Sequence, residues 1–148
     1  MKNFTSLALL CAVVCTSTLL ISCDKADPTT RPKEQLIVGN WEIGRIQLKV
    51  FYGGVFVKDT ILKQAPRPKN YANFDANGGF AYKWNLNAAD IGTYQFKGTD
   101  SVITNAIPNA YRWKMLTLTE DIFTVMNTTT NEPLYPGATV ERYHTFIR

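Results

Sequence analysis

The sequence predicts an all-β domain of about nine short antiparallel strands behind an N-terminal leader. Three observations carry this. Successive runs alternate apolar and polar residues, clusters of Gly, Pro, Asn and Asp separate them at short intervals, and no run of helical period lies beyond the leader. A sandwich and a barrel both satisfy such a pattern; closure into a barrel removes the exposed edges that a lone sheet would present.

The elements follow in order. Asn40 to Tyr52 is a long run ended by Gly53-Gly54, and Val55 to Lys63 follows at once, which predicts a hairpin. A proline-bearing loop, QAPRPK, leads to Tyr71 and Phe74, and Ala76-Asn77-Gly78-Gly79 suits the positive φ angles of a tight turn. Phe80, Tyr82 and Trp84 then alternate with Ala81 and Lys83, which places three aromatics on one face of a strand. Ile91 to Lys97 and Ser101 to Ile107 alternate on either side of Gly98-Thr99-Asp100.

In Tyr111 to Thr119 the alternation changes phase. Tyr111, Trp113 and Met115 share one face, whereas Leu116 and Leu118 share the other, so a bulge or sharp bend is expected at Met115-Leu116. Ile122 to Thr129 and a last strand from about Thr139 to Ile147 complete the set, joined by the loop TNEPLYPGA.

The 148 residues suit one domain of ordinary size. All three cysteines, Cys11, Cys15 and Cys23, lie in the first 23 residues, so the remainder has neither a disulfide framework nor a thiolate metal site. The formal charge is +4, and loss of residues 1 to 22 would remove Lys2 and no acid, leaving 15 basic against 12 acidic residues. Those basic residues are scattered singly, without the stripe that a nucleic-acid binder needs, so no nucleic-acid partner is expected.

The leader has a short positive start at Lys2 and a mostly apolar stretch from Phe4 to Ile21, the two parts of a secretory signal. It is also close to the roughly 20 residues that span a bilayer, and its ending separates the two readings. It ends Leu20-Ile21-Ser22-Cys23, which resembles the lipobox of bacterial lipoproteins. That resemblance implies a signal peptide over 1–22, cleavage before Cys23, and acylation of the Cys23 thiol and amino group with up to three chains. Two chains already anchor a protein stably, at about 0.8 kcal/mol per buried CH2. The implied partner is thus a membrane, held through Cys23, in the envelope of a Gram-negative bacterium. Asp24 after the cysteine resembles an inner-membrane retention signal in some of these bacteria, and Asp24-Lys25-Ala26-Asp27 weakly resembles a surface-export signal in others. The domain resemblance below favours the outer membrane. Residues 23–35, with DKADPTTRPKE at 24–34, read as an extended tether with almost nothing to bury.

Gly39-Asn40-Trp41 fits the G-x-W that opens lipocalin-type barrels. YANFDANGGFAY, GTYQFKGTDSVI and YRWKMLTLTEDIFTV are similar to stretches of short bacterial lipocalin-like lipoproteins, in the same order. The resemblance covers residues 36–148 and implies an antiparallel up-and-down β-barrel of eight to nine strands. It implies that Trp41 plugs the closed end under an arginine of the final strand, Arg148 by preference to Arg142, with any pocket at the opposite mouth. It also implies a small apolar or amphipathic ligand, with Tyr82, Trp84, Tyr94, Phe96 and Trp113 as candidate contacts. The same aromatics, with Tyr71, Phe74, Phe80 and Tyr111, would equally serve to fill the interior, since a barrel of about eight strands is just wide enough to be packed solid or to hold one small ligand. A solid barrel would act as a structural or interaction module, with Leu134, Tyr135 and Pro136 in the loop from Asn131 to Ala138 as the first place to look for a partner.

Chemistry beyond binding finds little support. His144 is the sole histidine, which leaves no His pair for a metal, and Gly53-Gly54 and Gly78-Gly79 have hairpin contexts rather than a phosphate cradle. The acids Glu42, Asp59, Asp75, Asp90, Asp100, Glu120, Asp121 and Glu141 mostly fall at or near turns, where they support the backbone. We therefore expect no catalytic residues, no metal, no cofactor, and a monomer that is not an enzyme.

Overall fold

Fourteen consecutive residues, Gly39–Tyr52, form the strand around which the domain closes. The computed structural model describes residues 31–62, 70–85, 87–130 and 132–148; the leader, Cys23, the expected tether as far as Thr30 and the whole QAPRPK loop lie outside the described residues. After one helical turn, α1 (Lys33–Leu36), come β1 (Gly39–Tyr52), β2 (Val55–Ile61), β3 (Tyr71–Phe74), β4 (Gly79–Lys83) and β5 (Asp90–Lys97). Then follow β6 (Ser101–Thr104), β7 (Arg112–Leu118), β8 (Ile122–Thr129) and β9 (Thr139–Ile147). All pairings are antiparallel, and β1 pairs with β9 from Glu42↔Ile147 to Phe51↔Thr139, which closes the sheet.

The other edge of β1 is shared. Its first residues pair with β3, from Gly39↔Phe74 to Glu42↔Tyr71, and its last with β2, from Gln47↔Ile61 to Tyr52↔Val55. Eight strands therefore make the closed up-and-down barrel, and β2 is a ninth strand laid beside the overhanging half of β1. The hairpin turn at Gly53 and Gly54 holds φ +57° and +83°, which residues with a Cβ rarely adopt.

Two irregularities bend the barrel. The register of β7 against β8 shifts between Met115 and Thr117, as the phase change predicts. Leu116 is the extra residue, 46% exposed, while Leu118 returns to the inner face opposite Phe123. A second shift, between Ile43 and Arg45 against β9, was not anticipated. Its signal is in the spacing: Trp41 and Ile43 are buried, and the next buried residues are Ile46, Leu48 and Val50, one position out of phase.

The expected tether is corrected at its C-terminal end. Residues 33 to 35 are not extended: Lys33–Leu36 makes a helical turn against the barrel. Lys33 Nζ donates to the carbonyls of Gly98 (2.8 Å) and Thr99 (3.2 Å) and sits 4.7 Å from the Phe96 ring centre. Arg31 pairs with Glu120. Read as composition, this stretch has little apolar surface; its attachment is polar, and Leu36 and Ile37 then enter the core.

The interior is a column of aromatic rings. From the end near α1 it runs Trp41, Phe123, Phe74 and Phe146, then Phe80 and Trp113, then Tyr82 and Tyr111, with successive centroids 4.9 to 6.0 Å apart. Such contacts add about 0.5 to 1.5 kcal/mol each beyond the area they bury. Short turns at Asp75–Gly78, Gly98–Asp100 and Glu120–Asp121 close the end at which β1 begins. The loops at the other end are longer, which leaves room there for a site.

Candidate functional site

The two ends of the barrel hold different chemistry. At the closed end, Trp41 is fully buried and its Nε1–H donates to the Ile37 carbonyl at 2.7 Å. The Arg148 guanidinium lies 3.8 Å from the Trp41 ring centre and donates through Nη2 to the carbonyls of Leu36 (2.9 Å) and Val38 (2.6 Å). A cation over an aromatic face adds about 0.5 to 2 kcal/mol. Gly39, at φ +132°, permits this approach: a Cβ there would lie 3.1 Å from Arg148 Nη2. The glycine of the Gly-Asn-Trp triplet thus makes room for the arginine that covers the tryptophan.

At the opposite end a cavity of about 550 Å³ opens between the loops that follow β4, β6 and β8 and the overhanging β1–β2 hairpin. Tyr82, Trp84 and Tyr111 give it aromatic walls, and Ile46 and Leu62 add aliphatic surface from the hairpin side. Its polar lining is equally specific: Asp90 at the start of β5, Asn109 in the β6–β7 loop, Asn127 on β8, Arg142 on β9, and Glu132 in the loop before β9.

Hydrogen bonds fix part of this lining. Tyr111 donates its hydroxyl to Asp90, and Asn109 Nδ2 donates to the same carboxylate at 3.1 Å, so the β6–β7 loop is held to the first residue of β5. Burial first, and then the bond to Asp90, push the Tyr111 pKa up, which keeps the hydroxyl protonated as a donor. Glu132 pairs with Arg142. The two acids in the cavity thus both accept from protein donors.

Beneath the lining, His144 is 1% exposed, and its Nε2 lies 3.3 Å from the Tyr82 hydroxyl. Burial, and secondarily the charge of Arg142, push its pKa down to about 3, so the imidazole is neutral. Four buried polar atoms have no hydrogen-bond partner among the described residues: Trp113 Nε1, Asn127 Oδ1, Arg142 Nε and His144 Nδ1. Buried polar groups are satisfied in nine cases of ten or more, so such orphans call for a reason. These four lie at or just beneath the cavity lining, on β7, β8 and β9.

The candidate contacts divide between the two ends. Tyr82 and Trp84 line the cavity, although Trp84 falls one residue past the end of β4. Trp113 is 1% exposed and stacks beneath Tyr111 at 4.9 Å, one layer below the lining. Tyr94 and Phe96 are brought elsewhere: Tyr94 packs edge-on to Phe74, and Phe96 lies under Lys33 beside α1. Asp90, Glu132, Asn127 and Arg142 were not among the candidates. The signal for three of them is strand parity, since Asp90 shares the inward face with Tyr94 and Phe96, Asn127 with Phe123 and Val125, and Arg142 with His144 and Phe146. Glu132 sits in a loop, where no period marks it.

Among the described residues no group of three or more His, Cys, Asp or Glu could hold a metal ion, and no helix is long and apolar enough to cross a membrane. The fold and site together define a closed antiparallel barrel with a sealed floor and a mixed polar and aromatic cavity at its mouth. No protein-family model matches the chain, and no curated protein is significantly similar to it.

Proposed function

We propose that this chain is a lipid-anchored, lipocalin-like protein of the Gram-negative envelope, held at the outer membrane through Cys23, whose barrel carries a small amphipathic molecule. The observation that carries the binding half is the cavity, with aromatic walls on some sides and Asp90, Asn127 and Arg142 on others. A purely apolar guest would leave Asn127 Oδ1 and Arg142 Nε still without partners, at about 1 to 3 kcal/mol each, so a ligand with a polar head is the better match. Both carboxylates of the cavity are held by protein donors, which favours binding over turnover.

Titrating the purified full chain with hydrophobic fluorophores while following tryptophan emission tests this half. Saturable quenching, lost in Trp84→Ala, is the expected result, and absence of any saturable binding removes the ligand reading. The anchor is tested separately in a Gram-negative host. Cys23→Ser should abolish incorporation of labelled palmitate and release the protein from the membrane fraction; membrane association unchanged by the substitution would end the lipoprotein reading.

A second reading, a structural or interaction module, has one observation in its favour. Strand β2 exposes Val55, Phe56, Val57 and Ile61, each more than half accessible, and Leu134 is 63% exposed in the loop before β9. Tyr135 of that loop is partly buried, with Lys58 Nζ 5.8 Å from its ring centre, and is thus engaged with β2 itself. The cavity weighs against a barrel that is solid throughout.

A further inference from the structure

Among the described residues the charge of the cavity is unbalanced at one position. Three formally charged side chains of these line it: Asp90, Glu132 and Arg142. Glu132 and Arg142 form an ion pair with each other. Asp90 is only 5% exposed, and its two hydrogen-bond donors, the Tyr111 hydroxyl and the Asn109 amide, are both neutral; it forms no ion pair with any described residue. Buried charges in proteins are ordinarily matched by an opposite charge, because neutral donors recover only part of the lost hydration. Among the described residues, one negative charge therefore remains unmatched at the cavity wall.

The surfaces around Asp90 suit a cation. Tyr82 and Tyr111, whose ring centres are 5.0 Å apart, and Trp84 line the same cavity, and the faces of such rings attract positive charge. An anionic ligand would meet both Asp90 and the rings unfavourably, while the cation already present, Arg142, is committed to Glu132.

Resting on the reading of this cavity as a ligand site, we propose that its ligand is a small organic cation, an amphipathic amine or ammonium compound. The charged nitrogen sits against the Asp90 carboxylate within the Tyr82, Trp84 and Tyr111 walls. The step involves no covalent change. It supplies Asp90 with a counter-charge that none of the described residues provides.

A series of probes with one shape and three charges tests the inference: phenethylammonium, phenethyl alcohol and phenylacetate, titrated against the purified full chain by calorimetry and tryptophan emission. Phenethylammonium should bind about tenfold or more tighter than the alcohol, with phenylacetate weakest. In Asp90→Asn, which keeps an oxygen to accept from Tyr111, the ratio of ammonium to alcohol affinity should fall to within about threefold. Equal affinity for ammonium and alcohol in the unmodified chain, or a preference that survives Asp90→Asn, overturns the cation inference while leaving a ligand-binding cavity standing. Binding of none of the three, and of no hydrophobic fluorophore, overturns both readings. Should Asp90→Asn fail to fold, as its melting curve would show, the charge series on the unmodified chain decides alone.

Discussion

Strand β9 carries an arginine at each end of one inward face, and the two are used in opposite ways. The face reads Val140, Arg142, His144, Phe146, and continues past the strand to Arg148. Six residues of extended chain separate the arginines, about 20 Å. Arg148 lies over Trp41 and donates to the backbone carbonyls of Leu36 and Val38, so the closed end is satisfied by the protein alone. Arg142 pairs with Glu132, but its Nε has no partner among the described residues, and neither has the oxygen of Asn127 across the β8–β9 ladder. One end is finished as structure; the other keeps polar capacity in reserve. That contrast sets a filled floor against a mouth that keeps an open cavity.

The largest expected effect tests the contrast directly. Trp41→Ala should cost about 3 to 5 kcal/mol in urea unfolding, since it removes a fully buried indole together with the face that Arg148 covers. Trp84→Ala, at the cavity, should cost no more than about half of that, because Trp84 is only partly buried. Equal losses at the two tryptophans would mean that the mouth is as structural as the floor, and the division between the ends would fall.

His144 lies between the ends, and its effect depends on pH. In the native protein the imidazole remains neutral down to about pH 3, whereas in the unfolded chain it takes up a proton near its ordinary value of 6.5. Between those values the unfolded state binds the extra proton, so acid favours unfolding. Stability is fully present above about pH 6.5 and falls as pH drops toward 3, by about 1.4 kcal/mol per pH unit from this residue. Urea midpoints taken from pH 7 to 4 should show that slope, and His144→Leu should flatten it. An unchanged slope would mean that His144 is protonated inside the barrel, and that the layer under the cavity is wetter than its 1% exposure implies.

What was legible in the sequence follows the same division. The nine strands, the β1–β2 hairpin and the β7 bulge were all readable, because alternation and turn chemistry are local signals. Residues of the cavity were harder to read. Asp90 looks like one more acid at a turn until the parity of β5 puts it on the same face as Tyr94 and Phe96, and Glu132 has no parity at all. Tyr94 and Phe96 share that inward face yet pack toward the floor, because parity gives a face and not a depth. Which aromatics sit at the floor and which at the mouth depends on strand direction and shear, set by pairings between residues as distant as Glu42 and Ile147. The docking of α1 was missed because its contacts are a lysine to two carbonyls and an ion pair, which leave no hydrophobic pattern.

The smallest expected effect concerns how tightly the closed end specifies its own packing. Leu116 and Leu118 stand two apart, and on a regular strand they would share one face. The bulge between Met115 and Thr117 separates them: Leu116 is turned outward at 46% exposure, while Leu118 faces Phe123 and packs against the core. Leu116→Ser should therefore change stability by no more than about 0.5 kcal/mol, as surface substitutions do. Leu118→Ser should cost about 1 to 3 kcal/mol, from lost apolar burial and a hydroxyl brought toward the rings of the floor. Paired urea melts of the two variants separate the cases. Equal costs would place both leucines on one face, remove the bulge, and shift Trp113, Tyr111 and the cavity wall they support by one residue relative to β8. The geometry of the mouth therefore depends on a single extra residue near the floor.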